Sequence, residues 1–354
     1  MSDRLVKASW MDPLKGYTVE WADADKYLLS RGDKLFVADE LSTPEQFQPF
    51  GQIPAGIGQR LGATTRLGQR LLRYMFYNVI CLPESDRVFV TFRDRVGLFN
   101  GTGEYMPISG LERPSKFLRG CCAVDGVGGV YLGEYRSNGE RQEVKIYHLP
   151  KGDDQLHVVH TFAPGEVRHV HGLFYDKYDD LLWCTTGDRE SECCIMSSRD
   201  GFSTLDVVGG GDETWRAVSL VFDQQGVSYG MDAEFCQNKL FTVDRKSGSR
   251  AELGKLPGPV YYARTFGDIH LFGITAEGCP SQPYNAASLW QLKEGSLESV
   301  FFYGKDWLPN QFMPGTLHFN LGPGRSDDEC FCYMNGLHGV DGRTVKLSRS
   351  NALT

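Results

Sequence analysis

With 354 residues, 41% of them hydrophobic and 12% aromatic, the chain can bury a sizeable core, and its 41 glycines favour turn-rich β structure over helix. A formal net charge of -8 argues against a general nucleic-acid binder, which would need a basic face. No segment reaches the roughly 20 apolar residues of a membrane span, and no N-terminal stretch joins a basic start to a long apolar run, so neither a membrane partner nor secretion is expected.

The expected location is therefore cytoplasmic. The ten cysteines include no C-x-x-C pair, and most lie in apolar runs. They are expected as buried, reduced thiols rather than as a zinc site.

Taken in order, the chain repeats one signal: a short apolar run, a Gly/Asp/Asn turn, and a second run rich in Val, Leu, Tyr or Phe. The pairs are Tyr27 to Leu29 with Lys34 to Ala38, Asn78 to Leu82 with Arg87 to Phe92, and Cys121 to Val124 with Val130 to Gly133. They continue as His171 to Tyr175 with Leu181 to Thr185, Val218 to Phe222 with Val227 to Gly230, Val260 to Arg264 with Ile269 to Gly273, and Thr316 to Phe319 with Cys330 to Tyr333. The spacing, roughly 40 to 60 residues, is that of four-stranded propeller blades. Rungs of a β-helix are shorter, and a pair of sandwiches does not repeat at this period.

The pattern predicts an all-β chain: a seven-bladed β-propeller of four-stranded antiparallel blades, as one domain over residues 1–354. The N-terminal segment should close the ring on the last blade near Val345 to Ser348. Gln59 to Arg73 is the nearest approach to a helix, and Gly62 and Gly68 weaken it to a loop or a short helix.

Ser198-x-Asp200-Gly201-x-x-Thr204 resembles the Asp-box, the hairpin turn of sialidase-like (BNR) propellers, with Gly one position early and Leu205 where Trp stands in that family. The unit from Gly133-Glu134-Tyr135 through Trp215-Arg216 also resembles sialidase-like propellers associated with bacterial polysaccharide loci. The resemblance implies the propeller fold. It implies a structural Asp200, accepting backbone N–H groups across a turn that Gly201 permits.

In a propeller, inner-strand starts and second-strand ends share one mouth of the central channel. The inner-strand starts are basic or aromatic: Arg73 with Asn78, Arg119, Arg168 with His169 and His171, Trp215 with Arg216, and Tyr261 with Tyr262 and Arg264; His318 lies within the last inner strand. The second-strand ends are mostly acidic: Asp39, Asp94, Glu134 (followed by Tyr135), Asp188, Asp232 with Glu234, and Glu277. Strand alternation places His169 and His171 on one face.

Three chemistries suit such a ring. The first is β-elimination on an acidic sugar or uronic-acid glycan. It needs Arg168 or Arg216 to neutralise the carboxylate, and His169, His171 or Tyr262 to move protons. The expected substrate contacts are Arg73, Arg119, Glu134, Tyr135, Arg168, Asp188, Trp215, Asp232, Tyr261 and His318. The second is glycoside hydrolysis by two carboxylates among Glu134, Asp188, Asp232 and Glu234. The third is metal-assisted: no cofactor is required by the sequence, but His169 and His171, with His318 or His338 and a carboxylate, suit a divalent ion. A non-catalytic glycan- or protein-binding propeller, or a biosynthetic enzyme acting on a small metabolite, are the alternatives.

Overall fold

Seven four-stranded antiparallel sheets stand around a central axis in the computed structural model, which describes residues 5–326 and 329–349. Blade 1 comprises Thr18–Ala22, Tyr27–Arg31, Lys34–Ala38 and Gln48–Gln52, and blade 2 comprises Phe76–Cys81, Val88–Phe92, Arg95–Phe99 and Tyr105–Pro107. Blade 3 is built from Cys122–Val124, Val130–Gly133, Val144–Leu149 and His157–Phe162, and blade 4 from Val170–Asp176, Leu181–Thr186, Cys194–Ser198 and Asp206–Gly210. Blade 5 follows as Val221–Phe222, Gly226–Gly230, Lys239–Asp244 and Arg250–Lys255, and blade 6 as Val260–Phe266, Ile269–Ile274, Ala286–Lys293 and Ser296–Gly304.

Blade 7 takes Thr316–Phe319, Glu329–Asn335 and Thr344–Arg349, and its outer strand is Val6–Trp10 from the other end of the chain. That strand pairs antiparallel in the register Val6↔Arg349 to Trp10↔Val345, so the ring is held by hydrogen bonds between the first and last blade segments.

The core lies between blades rather than within one. Ala123, Val144, Ile146 and Phe162 of blade 3 pack with Leu173, Leu182, Cys184 and Met196 of blade 4. The approach is tight: a Cβ at Gly133 would stand 2.5 Å from Val170 Cγ1 of the next blade. Strands buried on both faces read as continuous apolar runs, such as Val88–Phe92 and Leu181–Thr186, with every residue buried.

Blade 1 departs from the sequence reading by one strand. Tyr27–Arg31 is its second strand and Lys34–Ala38 its third, joined over Gly32 at φ +64 with Arg31↔Lys34 as the last pair. The inner strand is Thr18–Ala22, whose buried Glu20 broke the apolar pattern. Asp39 consequently follows a third strand, at the end away from the mouth.

The Ser198–Thr204 turn joins the third and fourth strands of blade 4, also at that far end. Asp200 Oδ1 accepts from Thr204 N at 2.9 Å, Oδ2 accepts from Thr204 Oγ1 at 2.8 Å, and Ser198 Oγ accepts from Phe202 N at 2.8 Å. Phe202 sits at φ +66 and buries its ring edge-on against Tyr131 of blade 3, which ties the turn to the neighbouring blade.

Between blades 1 and 2 the chain forms two short helices, Ile57–Gly62 and Arg66–Leu71, on the mouth side. Arg66 reaches Asp341 of blade 7 at 3.0 Å, and Arg70 reaches Asp306 of the blade 6–7 connection at 2.5 Å. The second helix is thereby pinned across blade 1 to the neighbouring blade 7 and to the connection that leads into it. All ten cysteines are free thiols. No helix among the described residues is long and apolar enough to cross a membrane.

Candidate active site

The mouth opens into a cavity of about 290 Å³ lined by loops of blades 3 to 6. Its floor is a cluster around Asp188. This residue ends the second strand of blade 4 in the left-handed region, at φ +89, a conformation that few residues other than Gly adopt. The turn swings its carboxylate back over the start of the inner strand of the same blade.

Four side chains meet that carboxylate. His169 Nε2 lies 3.4 Å from Oδ2, His171 Nε2 4.0 Å from Oδ1, Arg168 Nη1 3.4 Å from Oδ2 and Arg216 Nη2 3.5 Å from Oδ1. The pairing slips between Val170 and Gly172, and the two imidazoles lie side by side with centroids 5.0 Å apart. Tyr135 of blade 3 covers His169 at 4.0 Å between ring centroids. His169 Nδ1 sits 3.3 Å from the Arg136 carbonyl, which accepts its proton and leaves Nε2 as the lone-pair nitrogen facing Asp188.

Burial pushes the His169 imidazole down from its ordinary pKa, against the pull of Asp188 and the Arg136 carbonyl. Burial and then the neighbouring His169 take His171 down to about 3. Both rings are therefore neutral near pH 7. Burial pushes the Asp188 carboxyl up, but its cationic neighbours outweigh it and hold the group below its usual range; near pH 7, with both rings neutral, the charges that keep it a carboxylate are those of Arg216 and Arg168.

Two neutral imidazoles and one carboxylate now converge, each offering one ligand atom, and these atoms all lie within 4.8 Å of one another. That donor set can hold a divalent ion of the zinc–manganese type.

The other wall is acidic. Arg216 Nε stands 3.2 Å from Asp232, and its Nη2 stands 3.4 Å from Glu234. Burial raises the Asp232 carboxyl well above its ordinary value although Arg216 opposes it. Burial likewise raises Glu277, whose Oε1 accepts from Tyr261 OH at 2.5 Å.

The remaining sequence-predicted residues divide. Arg119, Tyr135, Tyr261, Tyr262 and Asp232 line the same cavity as the Asp188 cluster. Arg119 is a strut as well: it donates to the Phe319 carbonyl at 2.8 Å and pairs with Glu20, linking blade 3 to blades 7 and 1 across the channel. Tyr262 packs edge-on against His318 at 4.7 Å. His318 bonds Thr316 Oγ1 at 2.8 Å, deeper in the channel among Glu20, Arg66 and Tyr333, and the third donor beside His169 and His171 is Asp188 instead. His338 is exposed on a blade 7 loop.

Three expectations are corrected. Glu134 is fully buried and bound: Arg113 clasps both oxygens at 2.9 Å, Tyr147 OH donates at 3.1 Å and Lys145 N at 2.9 Å. It cannot contact substrate or pair with Asp188 as a hydrolytic carboxylate. Trp215 faces outward, its ring stacked under the Arg250 guanidinium at 3.9 Å. Arg216, expected to meet substrate, has its guanidinium held by Asp188, Asp232 and Glu234. Lys116, Arg136 and Ser137 also line the cavity, and the sequence reading passed over them. Arg136 follows Glu134-Tyr135 directly, so the second-strand-end rule would have found it if extended by two residues.

No family model matches the chain, and no curated protein matches it in sequence. Solved structures share its architecture. An oligogalacturonate lyase in complex with manganese superposes at a TM-score of 0.62 with 10% identity, over 97% of this chain and 90% of that one. A chain of a mitotic checkpoint complex gives 0.57 with 8% identity, over 97% and 93%. A prolyl endopeptidase gives 0.53 with 11% identity, over 96% of this chain and 52% of that one. These likenesses establish the propeller; such divergent neighbours leave the chemistry to the site itself.

Proposed function

We propose that the protein is a carbohydrate-active enzyme that binds an acidic sugar or uronic-acid glycan in the channel mouth and cleaves it by β-elimination, with His169, His171 and Asp188 holding a divalent cation. The observation that carries this reading is the convergence of two neutral imidazoles and an ionised carboxylate beside Arg168 in an open cavity. The likeness to a manganese-bound oligogalacturonate lyase supports it at the level of fold.

The fit to a cation rests on the tautomer. With Nδ1 of His169 committed to a carbonyl, Nε2 and Asp188 Oδ2 are two acceptors facing each other at 3.4 Å, which favours a positive charge between them. A divalent ion there supplies Lewis-acid neutralisation of a substrate carboxylate, the charge that opposes loss of the C5 proton.

The chain's residues do the rest, and Glu234, the accessible carboxylate of the acidic wall, takes the C5 proton. Arg168 is one-third exposed and holds Asp188 by one long contact, so its remaining N–H groups are free to grip a carboxylate. Arg216 fixes the position of Asp188 from behind. Burial, set against the charge of Arg119, holds the Tyr262 phenol at about 12, so it enters as a proton donor to a leaving oxygen rather than as a base.

A second reading, metal-free elimination, has the bare Nε2 of His169 taking the C5 proton; the neutral imidazole favours it. Assay on polygalacturonate and other uronic-acid glycans, with formation of the unsaturated product as readout, decides. Activity abolished by a chelator and restored by Mn²⁺ supports the metal reading. Activity indifferent to chelation supports the second. No unsaturated product from any uronic-acid glycan overturns both.

A further inference from the structure

On the blade 2–3 side of the mouth, three neighbouring segments each carry a cation. Arg73 precedes the inner strand of blade 2, Arg93 occupies the turn between that blade's second and third strands, and Lys116 lies in the blade 2–3 connection. Among the described residues, none of the three is within ion-pair distance of a carboxylate; Asp94 is the acidic group whose charge reaches Lys116. Burial lowers the Lys116 ammonium, and the positive charges of Arg73 and Arg93 lower it further. The backbone holds both arginines in the left-handed region, at φ +48 and φ +56, where non-glycine residues are uncommon. The buried Tyr77 hydroxyl meets the Arg73 side chain, a donor, so its own proton is left without an acceptor. Three like charges set against the single carboxylate of Asp94 leave an excess of positive charge that destabilises the fold, and strained turns that present them destabilise it again. An anion would relieve the first and take up the phenol's donor.

The cluster is continuous with the Asp188 centre. Lys116 lines the same cavity, and its backbone bridges to Tyr135, whose ring lies on His169. On its other side, Arg93 lines a second cavity of about 390 Å³ that reaches Pro114, two residues before Lys116. A chain entering the mouth thus meets cations on its way to the imidazoles.

We propose that Arg73, Arg93 and Lys116 form a second anion subsite, which takes a further acidic group of the glycan bound at Asp188, so that the substrate carries acidic groups on more than one sugar. This inference rests on the acidic-glycan reading above, and its test separates the two.

The test uses the full chain and the K116Q/R93Q double variant, with pyrophosphate, galacturonate and trigalacturonate as probes. Pyrophosphate should raise the melting temperature of the wild type and leave the variant unmoved. The unliganded variant should melt no lower than the wild type, because repulsion has been removed. Trigalacturonate should bind the wild type more tightly than galacturonate and lose about tenfold in affinity in the variant, while galacturonate binding stays the same. Absence of a pyrophosphate shift, or a variant that is less stable without ligand, overturns the subsite. Equal losses for monomer and trimer also overturn it. A pyrophosphate shift with neither sugar bound leaves the anion site standing and overturns the acidic-glycan reading.

Discussion

His169 and Asp188 face each other acceptor to acceptor: Nε2 to Oδ2 at 3.4 Å, with the ring's other nitrogen held by the Arg136 carbonyl. Inner strand, second-strand end and neighbouring blade each contribute one part of this arrangement.

Mn²⁺ or Zn²⁺ should bind the wild-type chain at one site, measured by equilibrium dialysis with metal analysis. Asp188→Asn and His169→Ala should each weaken binding by about 100-fold or more, since each removes a ligand. Retention of metal by a His169→Ala/His171→Ala double variant would refute the site.

Gly187 offers a subtler probe of the same geometry. A Cβ there would stand 2.6 Å from His171 Cε1 and 3.0 Å from Arg216 Cγ. Gly187→Ala should displace the imidazole at a cost of about 1–3 kcal/mol in stability. Metal affinity should fall more than denaturant titration alone accounts for. Unchanged metal affinity would show that His171 is not a ligand.

Glu134 is a structural group by its contacts, and its partner is the sensitive point. Arg113→Ala strands a buried carboxylate and should cost about 3–5 kcal/mol in a urea titration. Glycan binding per folded molecule should be unaffected. A selective loss of binding at unchanged stability would restore the substrate role expected from the sequence.

His318 gives a pH dependence whose sign is fixed. Burial, with Arg119 and Arg66 nearby, holds its imidazole well below the ordinary 6.5, so the unfolded chain binds the proton first as pH falls. Its contribution to stability is complete above 6.5 and declines as pH drops below that value toward the lower native pKa. Thermal melts from pH 7.5 to 5 should show a falling Tm that flattens in His318→Gln. Parallel curves for the two proteins would place the acid sensitivity elsewhere.

Much of the architecture was readable because it is local. Turn glycines and apolar runs set the hairpins of blades 2 to 7, and each hairpin needs only its own residues. Blade 1 was misread by one strand because its inner strand carries a buried Glu20 that pairs with Arg119 from two blades away. His169 and His171 were legible as a pair, since strand spacing alone puts them on one face.

The sequence by itself determined the seven-fold repeat, the hairpin turns and the neighbouring imidazoles, because short-range backbone geometry governs all three. The tertiary structure alone decided which charges remain free. Glu134 was taken by Arg113, Arg216 by three carboxylates and Trp215 by Arg250, whereas Asp188 was turned toward the histidines. Such pairings join separate strands and loops, often of different blades, and depend on distances in space that no spacing along the chain encodes.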